Sequence, residues 1–190
     1  MSNFTQISKF FETEYPLNKE GLKELFNSFK VETYKKGELI LQIGNFENQL
    51  RFLNSGSVRE YYISPEKETN TLFYTTPQFI TDFSAFNNDT STKKNQEALT
   101  KIELLTIEKS IFRALLQKYD CGKTFIDLTF QKIFENKEQF EYNRITKTPE
   151  ELYKELMIYK PHWLQSIPQY HIASYLGVTP ETLSRIRKRI

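Results

Sequence analysis

Residues 169–188 read QYHIASYLGVTPETLSRIRK, and this run constrains the fold more than any other part of the chain. Ile172 and Leu176 stand one helical turn apart and give a first helix an apolar face. Ala173 is small where a crossing helix must approach closely. Gly177 supplies the left-handed backbone that ends a helix at little steric cost. Val178 plugs the turn and Thr179 is a good N-cap. Pro180 suits the first helical position, where its missing N–H would be unpaired anyway. Leu183 and Ile186 then face a core. The spacing predicts two helices about a glycine-centred turn, with Glu181, Thr182, Ser184, Arg185, Lys188 and Arg189 pointing outward.

Two amphipathic helices about a glycine turn also occur in helical domains that bind no nucleic acid. Here five apolar positions, one small residue, one glycine and one cap agree within a single unit. The charge distribution agrees as well. Residues 160–190 carry five Lys/Arg and one Glu, a net of +4, while the other 159 residues carry 21 Lys/Arg and 23 Asp/Glu, a net of −2. A polyanion partner is expected at that basic end only. Polar and basic groups on an exposed helix after a tight turn suit the major groove of double-stranded DNA. Arg185 can pair bidentately with guanine O6 and N7, and Glu181 can accept from cytosine N4. Thr182 and Ser184 can contact base or phosphate. Thr179 at the helix start, with Arg187, Lys188 and Arg189, is expected at the phosphates.

At 190 residues the chain can bury one or two cores, and its 16 Phe and 11 Tyr argue against disorder. No apolar stretch approaches a membrane span. The start, MSNFTQISKFFETEYP, carries Glu12 and Glu14 and lacks the basic-then-apolar order of a signal peptide. A cytoplasmic location without membrane contact is expected. Cys121 is the single cysteine, so an intramolecular disulfide and a cysteine-held zinc or iron–sulfur site are excluded within one chain. It reads as a small core or boundary residue. The histidines are His162 and His171, both near the C-terminal end. A metal oxygenase built on a β-barrel needs histidines on its strands, and none precedes His162. No catalytic residue, metal or cofactor is therefore expected, and the chain is not read as an enzyme.

Lys19 to Phe29 has helical spacing of Leu22, Leu25, Phe26 and Phe29. Short runs rich in β-branched and aromatic residues follow at Val31–Tyr34, Leu39–Ile43, Arg51–Asn54, Val58–Ile63 and Thr69–Thr75, with a further strand at Leu99–Ile107. Lys36-Gly37-Glu38, Gly44-Asn45, Ser55-Gly56 and Ser64-Pro65-Glu66 punctuate them as turns. That pattern predicts an all-β sandwich or barrel. From Lys109 the period turns helical, with Ile111, Leu115 and Leu116 marking one helix and a longer one running from about Lys123 to Arg144. Along it Ile126, Phe130, Ile133, Lys137 and Phe140 alternate by four and three, the spacing of a coiled-coil seam, although packing on the β-domain explains some of them equally well. A homodimer is expected. Thr148-Pro149 then starts a helix over Glu150–Tyr159, which Lys160-Pro161 breaks.

A β-domain, a long connecting helix and a C-terminal helix–turn–helix together resemble the Crp/Fnr family, the cyclic-AMP-receptor-like bacterial transcription regulators. Tyr34, Gly37-Glu38, Ile40, Gly44, Leu53, Gly56 and Val58-Arg59 carry the resemblance in the β-domain, and residues 165–187 carry it more specifically in the reading unit. The resemblance covers most of the chain. It implies an α+β fold: an N-terminal jelly-roll-like β-barrel of the cyclic-nucleotide-binding type at 1–122, a connecting and dimerisation helix at 123–146, and a helix–turn–helix DNA-binding domain at 147–190. It also implies a transcription regulator, with an RNA polymerase contact and a small-molecule effector as further partners. Glu181 and Arg185 fall where the family makes base contacts, while Pro180 stands where some relatives have another arginine.

Two departures from the family pattern follow. Members that bind cyclic AMP use a Gly–Glu pair and, some ten residues on, an arginine that pairs with the phosphate. Here Thr81-Asp82 stands at the pair and Thr92 at the arginine, and residues 79–99 contain neither Gly nor Arg. Asp82 can still accept a ribose hydroxyl, and Lys93 offers a point charge. Cyclic AMP is therefore not the expected effector; the site holds another ligand or is vestigial. Many relatives also follow the reading helix with a β-hairpin wing. The sequence ends at Ile190 directly after that helix, which leaves phosphate contacts to Arg187, Lys188, Arg189 and the helix N-terminus. The alternative reading is a ligand-binding sensor module whose helical C-terminus binds protein rather than DNA.

Overall fold

The computed structural model describes residues 4–14, 19–119 and 122–190. Cys121 lies outside them. Helices α1 (Thr5–Glu14) and α2 (Lys19–Ser28) precede eight strands: β1 (Lys30–Tyr34), β2 (Leu39–Leu41), β3 (Gln49–Ser55), β4 (Val58–Ile63), β5 (Glu68–Tyr74), β6 (Gln78–Phe79), β7 (Asn95–Ala98) and β8 (Ile102–Glu108). Helix α3 (Phe83–Asn88) interrupts the strands between β6 and β7. Then come α4 (Lys109–Lys118), α5 (Gly122–Thr146), α6 (Pro149–Tyr159), α7 (Pro161–Ser166), α8 (Gln169–Leu176) and α9 (Pro180–Arg189). The strands form two antiparallel four-stranded sheets, ordered β1-β8-β3-β6 and β2-β7-β4-β5. This is a jelly-roll-like sandwich with C-terminal helices.

Both faces of the first sheet are covered, which is why β3 and β8 read as near-continuous apolar runs. Leu53, Ile102 and Leu104 point between the sheets toward Val58, Tyr74 and Ala98. Leu50, Phe52, Leu105 and Ile107 point the other way, onto Ile7 of α1, Leu25 of α2, Phe86 of α3 and Phe112, Leu115 and Leu116 of α4. The turn between β3 and β4 fixes Gly56. Its φ is 93°, and a Cβ there would lie 2.6 Å from the Lys101 carbonyl oxygen. Outside the second sheet, Phe73 and Leu99 join Trp163, Ile167, Ile172, Leu176, Leu183 and Ile186 in one buried cluster.

Several elements lie where no pattern was read: α1, α3, α7, β6 and β7. The long helix also differs in its packing. The side chains of Ile126 and Phe130 lie outside the described residues. Ile133 is half-buried and Lys137 exposed. Phe140 packs on its own chain, 5.7 Å from the Tyr175 ring. Among the described side chains of α5 the exposed large apolar ones are Phe134, at 68%, Tyr142 and Ile145, at 76%.

Candidate nucleic-acid interface and the buried cassette

Helices α8 and α9 cross about Gly177, whose φ of 74° is the left-handed cap. The Thr179 hydroxyl accepts the Thr182 N–H at 3.2 Å, closing the start of α9. Leu183 and Ile186 are buried against Ile172, Ala173 and Leu176. This anchor turns Glu181, Ser184, Arg185 and Lys188 to solvent along one side, with Arg187 and Arg189 also exposed; Thr179 is exposed and Thr182 half-buried. Hydrogen bonds from its own N–H and the Thr179 hydroxyl hold the Glu181 carboxyl below its usual range, and Arg185 adds to this. Glu181 is thus an acceptor at neutral pH. Arg189 Nη1 lies 3.8 Å from Glu150 of α6, a loose surface pair. The basic last turn of Arg187, Lys188 and Arg189 also opposes the negative end of the helix dipole.

The reading unit is clasped to the β-domain at β5, the edge of the second sheet. The register pairs Leu72 with Glu60 and Asn70 with Tyr61, so Thr71 is an extra residue, a β-bulge. The bulge reverses the alternation and turns Asn70 and Phe73 to the same side. Phe73 meets Trp163 edge-on at 5.0 Å. The Asn70 N–H donates to Ser174 Oγ, and Ser174 Oγ donates to the Glu68 carbonyl, each at 3.1 Å. A serine on α8 therefore satisfies edge-strand groups that would otherwise be open to another strand. Asn70 Nδ2 lies 3.3 Å from both the His171 carbonyl oxygen and His171 Nδ1. Burial, helped by the Arg59 charge, pushes His171 down to about 4. Its imidazole is neutral at pH 7, so Nδ1 can accept from Asn70.

The stretch of residues 79–99, where the resemblance places the family's phosphate-binding cassette, is filled by its own polar groups. Thr92 Oγ1 donates to Asp82 Oδ2 at 2.7 Å, so the structure brings these two residues together. Lys93 is exposed. Its neighbour Lys94 is the lysine that points inward, with Nζ 3.1 Å from Glu60 and 3.7 Å from Asp82. Glu60 also accepts from Tyr74 Oη at 3.0 Å and from Gln96 Nε2 at 3.2 Å. Burial pulls the Lys94 ammonium down, but Glu60 and Asp82 outweigh it and hold it above its usual value. Beyond Asp82, Glu47 pairs with Arg51 and accepts the Asp82 N–H at 3.4 Å. Burial raises the Glu47 carboxyl despite Arg51. Sequence pattern does not show which of Lys93 and Lys94 turns inward, and it gives no sign of Glu60, Gln96 or the Asn70–His171–Ser174 clasp as partners. Polar residues inside strands, such as Asn95-Gln96, are the available signal for the polar cluster around Glu60.

Residues 31–119 match the family model described as the cyclic nucleotide-binding domain. No curated protein sequence matches the chain. Among solved structures, the cyclic-di-GMP-responsive global regulator CLP of Xanthomonas campestris is 15% identical, with 90% of each chain covered and a TM-score of 0.68. FixK2 from Bradyrhizobium japonicum is 16% identical over 85% of this chain and 83% of its own, with a TM-score of 0.72. A protein from Eubacterium rectale described as a Crp/Fnr-family transcriptional regulator is 16% identical over 91% and 83%, with a TM-score of 0.71. Among the described residues no helix is long and apolar enough to cross a membrane. The chain thus matches the cyclic nucleotide-binding domain model over residues 31–119 and shares its fold, over nearly its whole length, with solved structures, among them one described as a Crp/Fnr-family regulator.

Proposed function

We propose that the chain is a DNA-binding transcription regulator, not an enzyme, that acts as a cytoplasmic homodimer. One observation carries the reading. Helix α9 is anchored by Leu183 and Ile186 and presents Glu181, Ser184, Arg185 and Lys188 outward together. Glu181 and Arg185 read base edges, while Thr179, Thr182, Ser184, Arg187, Lys188 and Arg189 meet base or backbone. Two copies related by a two-fold axis present two such helices to half-sites about 34 Å apart. The division into 1–122, 123–146 and 147–190 assigns sensing, pairing and reading. An RNA polymerase contact belongs to the same proposal.

The effector is neither cyclic AMP nor cyclic GMP. Asp82, Thr92 and Lys94 are spent on one another and on Glu60, and Lys93 faces away. Either nucleotide should bind no tighter than about millimolar, about −4 kcal/mol. The test of DNA reading is selection from a random duplex library, followed by a salt series on the enriched site. Enrichment of a roughly palindromic sequence, with affinity falling steeply with salt, is expected. Binding no better than to random duplex would overturn the reading. A calorimetric constant in the micromolar range for either nucleotide would overturn the effector statement.

A further inference from the structure

Where α5, α6 and α8 meet they line a half-open cleft of about 130 Å³. Two cations line it, Arg144 from the end of α5 and Lys160 from the end of α6, together with Tyr175 of α8. Arg144 lies over the Phe140 ring at 5.5 Å and Lys160 over the Trp163 ring at 4.1 Å. Neither cation, nor the Tyr175 hydroxyl, has a hydrogen-bond or ion-pair partner among the described residues. Glu155 also lines the cavity, but Lys147 pairs with it. Asn143 accepts from Gln139 at 2.9 Å. The polar groups left over are therefore donors, and the uncompensated charge is positive.

Helix-end placement explains part of this, since a cation near a helix C-terminus is favourable by about 0.3–1 kcal/mol. It does not explain why two cations and a hydroxyl converge on one half-open cleft. Burial lowers the Lys160 ammonium with no carboxylate to offset it. Burial also raises the Tyr175 hydroxyl, which keeps it protonated and able to donate. Arg144 stays exposed, but Lys160 is half-buried without a carboxylate partner, and an anion beside it removes the cost of that burial.

We propose that this cavity binds a small oxyanion of phosphate or carboxylate size, held by Arg144, Lys160 and Tyr175. The volume suits a few heavy atoms and is below the roughly 300–1,000 Å³ of sites for larger ligands. The site is separate from the cassette and from the outward face of α9. It touches the reading unit directly, because a Cβ on Gly177 would lie 3.3 Å from Arg144 Nη2. An oxyanion that draws on Arg144 therefore acts at the turn that leads into α9.

The test uses the full chain without DNA, so its failure is distinct from failure of DNA reading. Thermal melts with inorganic phosphate are compared with chloride at matched ionic strength across the millimolar range. A saturable rise in melting temperature is expected for the wild type. Lys160→Met keeps the stem and removes the charge. It should melt higher than wild type without phosphate and bind phosphate about tenfold more weakly or worse, the scale of one charged hydrogen bond. Arg144→Gln should also weaken the phosphate effect. Absence of a saturable rise in the wild type overturns the site. An equal rise in wild type and Lys160→Met does the same.

Discussion

His171 offers a direct test of the clasp between the β-domain and the reading unit. It is 5% exposed and held at about 4, against about 6.5 in an unfolded chain. Between those two values the unfolded state binds the extra proton and the folded state does not. Stability should therefore be fully present above pH 6.5 and fall as pH drops toward 4. Each tenfold difference in proton affinity is about 1.4 kcal/mol, so the loss is at most about 3 kcal/mol, less where water screens the ring. Burial is the main cause, Arg59 and Lys36 act in the same direction, and Glu68 opposes. Protonation also turns Nδ1 into a second donor facing Asn70 Nδ2, 3.3 Å away.

The assay is urea unfolding at intervals from pH 7 to pH 4, on wild type and His171→Asn. Asparagine is neutral throughout and can still accept from Asn70. The variant should start less stable, having lost the ring beside Tyr170 at 4.0 Å, but it should lose less as pH falls. The difference between the two curves isolates His171 from carboxylates such as Glu47, which titrate in both. Parallel curves for the two proteins, or a His171 ring that takes up its proton near 6.5 in an NMR titration, would show that the clasp does not hold a neutral imidazole.

Arg185→Ala should cost about 1–3 kcal/mol on the preferred duplex and relax specificity at one base pair per half-site, whereas Lys188→Ala should weaken all sequences alike and lower the salt slope by about one; equal, sequence-independent losses in a gel-shift series would remove Arg185 from base reading. Among the described α5 side chains Phe134 and Ile145 are the most exposed large apolar ones, so Phe134→Glu should turn a dimer into a folded monomer by sedimentation, and a wild-type monomer at micromolar concentration would refute pairing through this helix. Lys94→Met leaves Glu60 and Asp82 buried without their cation and should cost about 3–5 kcal/mol in urea unfolding, with Lys94→Met/Glu60→Gln recovering part of it; a loss within about 0.5 kcal/mol would mean that the cassette is wetter than its geometry implies.

The legible parts of the chain are those where one local rule decides the outcome. In α8 and α9 the apolar period, the left-handed glycine and the Thr179-Pro180 start all point the same way, and the observed caps follow them. Strand β4 was read as Val58–Ile63 and is Val58–Ile63, because turns bound an uninterrupted β-prone run. The β5 bulge was not legible. Its period-two pattern assigns Asn70 and Phe73 to opposite faces, and only the register against β4 shows Thr71 to be extra. That single residue places the clasp, so the contact between the β-domain and the C-terminal helices is not legible in the strand's composition.

The cassette was hidden for a different reason, and the same reason bears on its function. Strand β7 reads NQEA, which fits no apolar alternation, because Asn95 and Gln96 are buried to make hydrogen bonds rather than hydrophobic contacts. Asn95 Oδ1 accepts the Ile43 N–H at 2.7 Å, and Gln96 Nε2 reaches both Glu60 and the Ile80 carbonyl. Lys93 and Lys94 are adjacent, so a one-residue difference in facing decides which charge enters the sandwich. Sequence alone supports either. Once Lys94 is inside, it neutralises Glu60 and Asp82 together, and Thr92 turns its hydroxyl to Asp82 instead of to a ligand. A bound nucleotide would have to break these pairs and desolvate its own phosphate without an arginine to receive it. The polar residues that obscured β7 in the sequence are thus the ones that argue against a cyclic nucleotide in the folded chain.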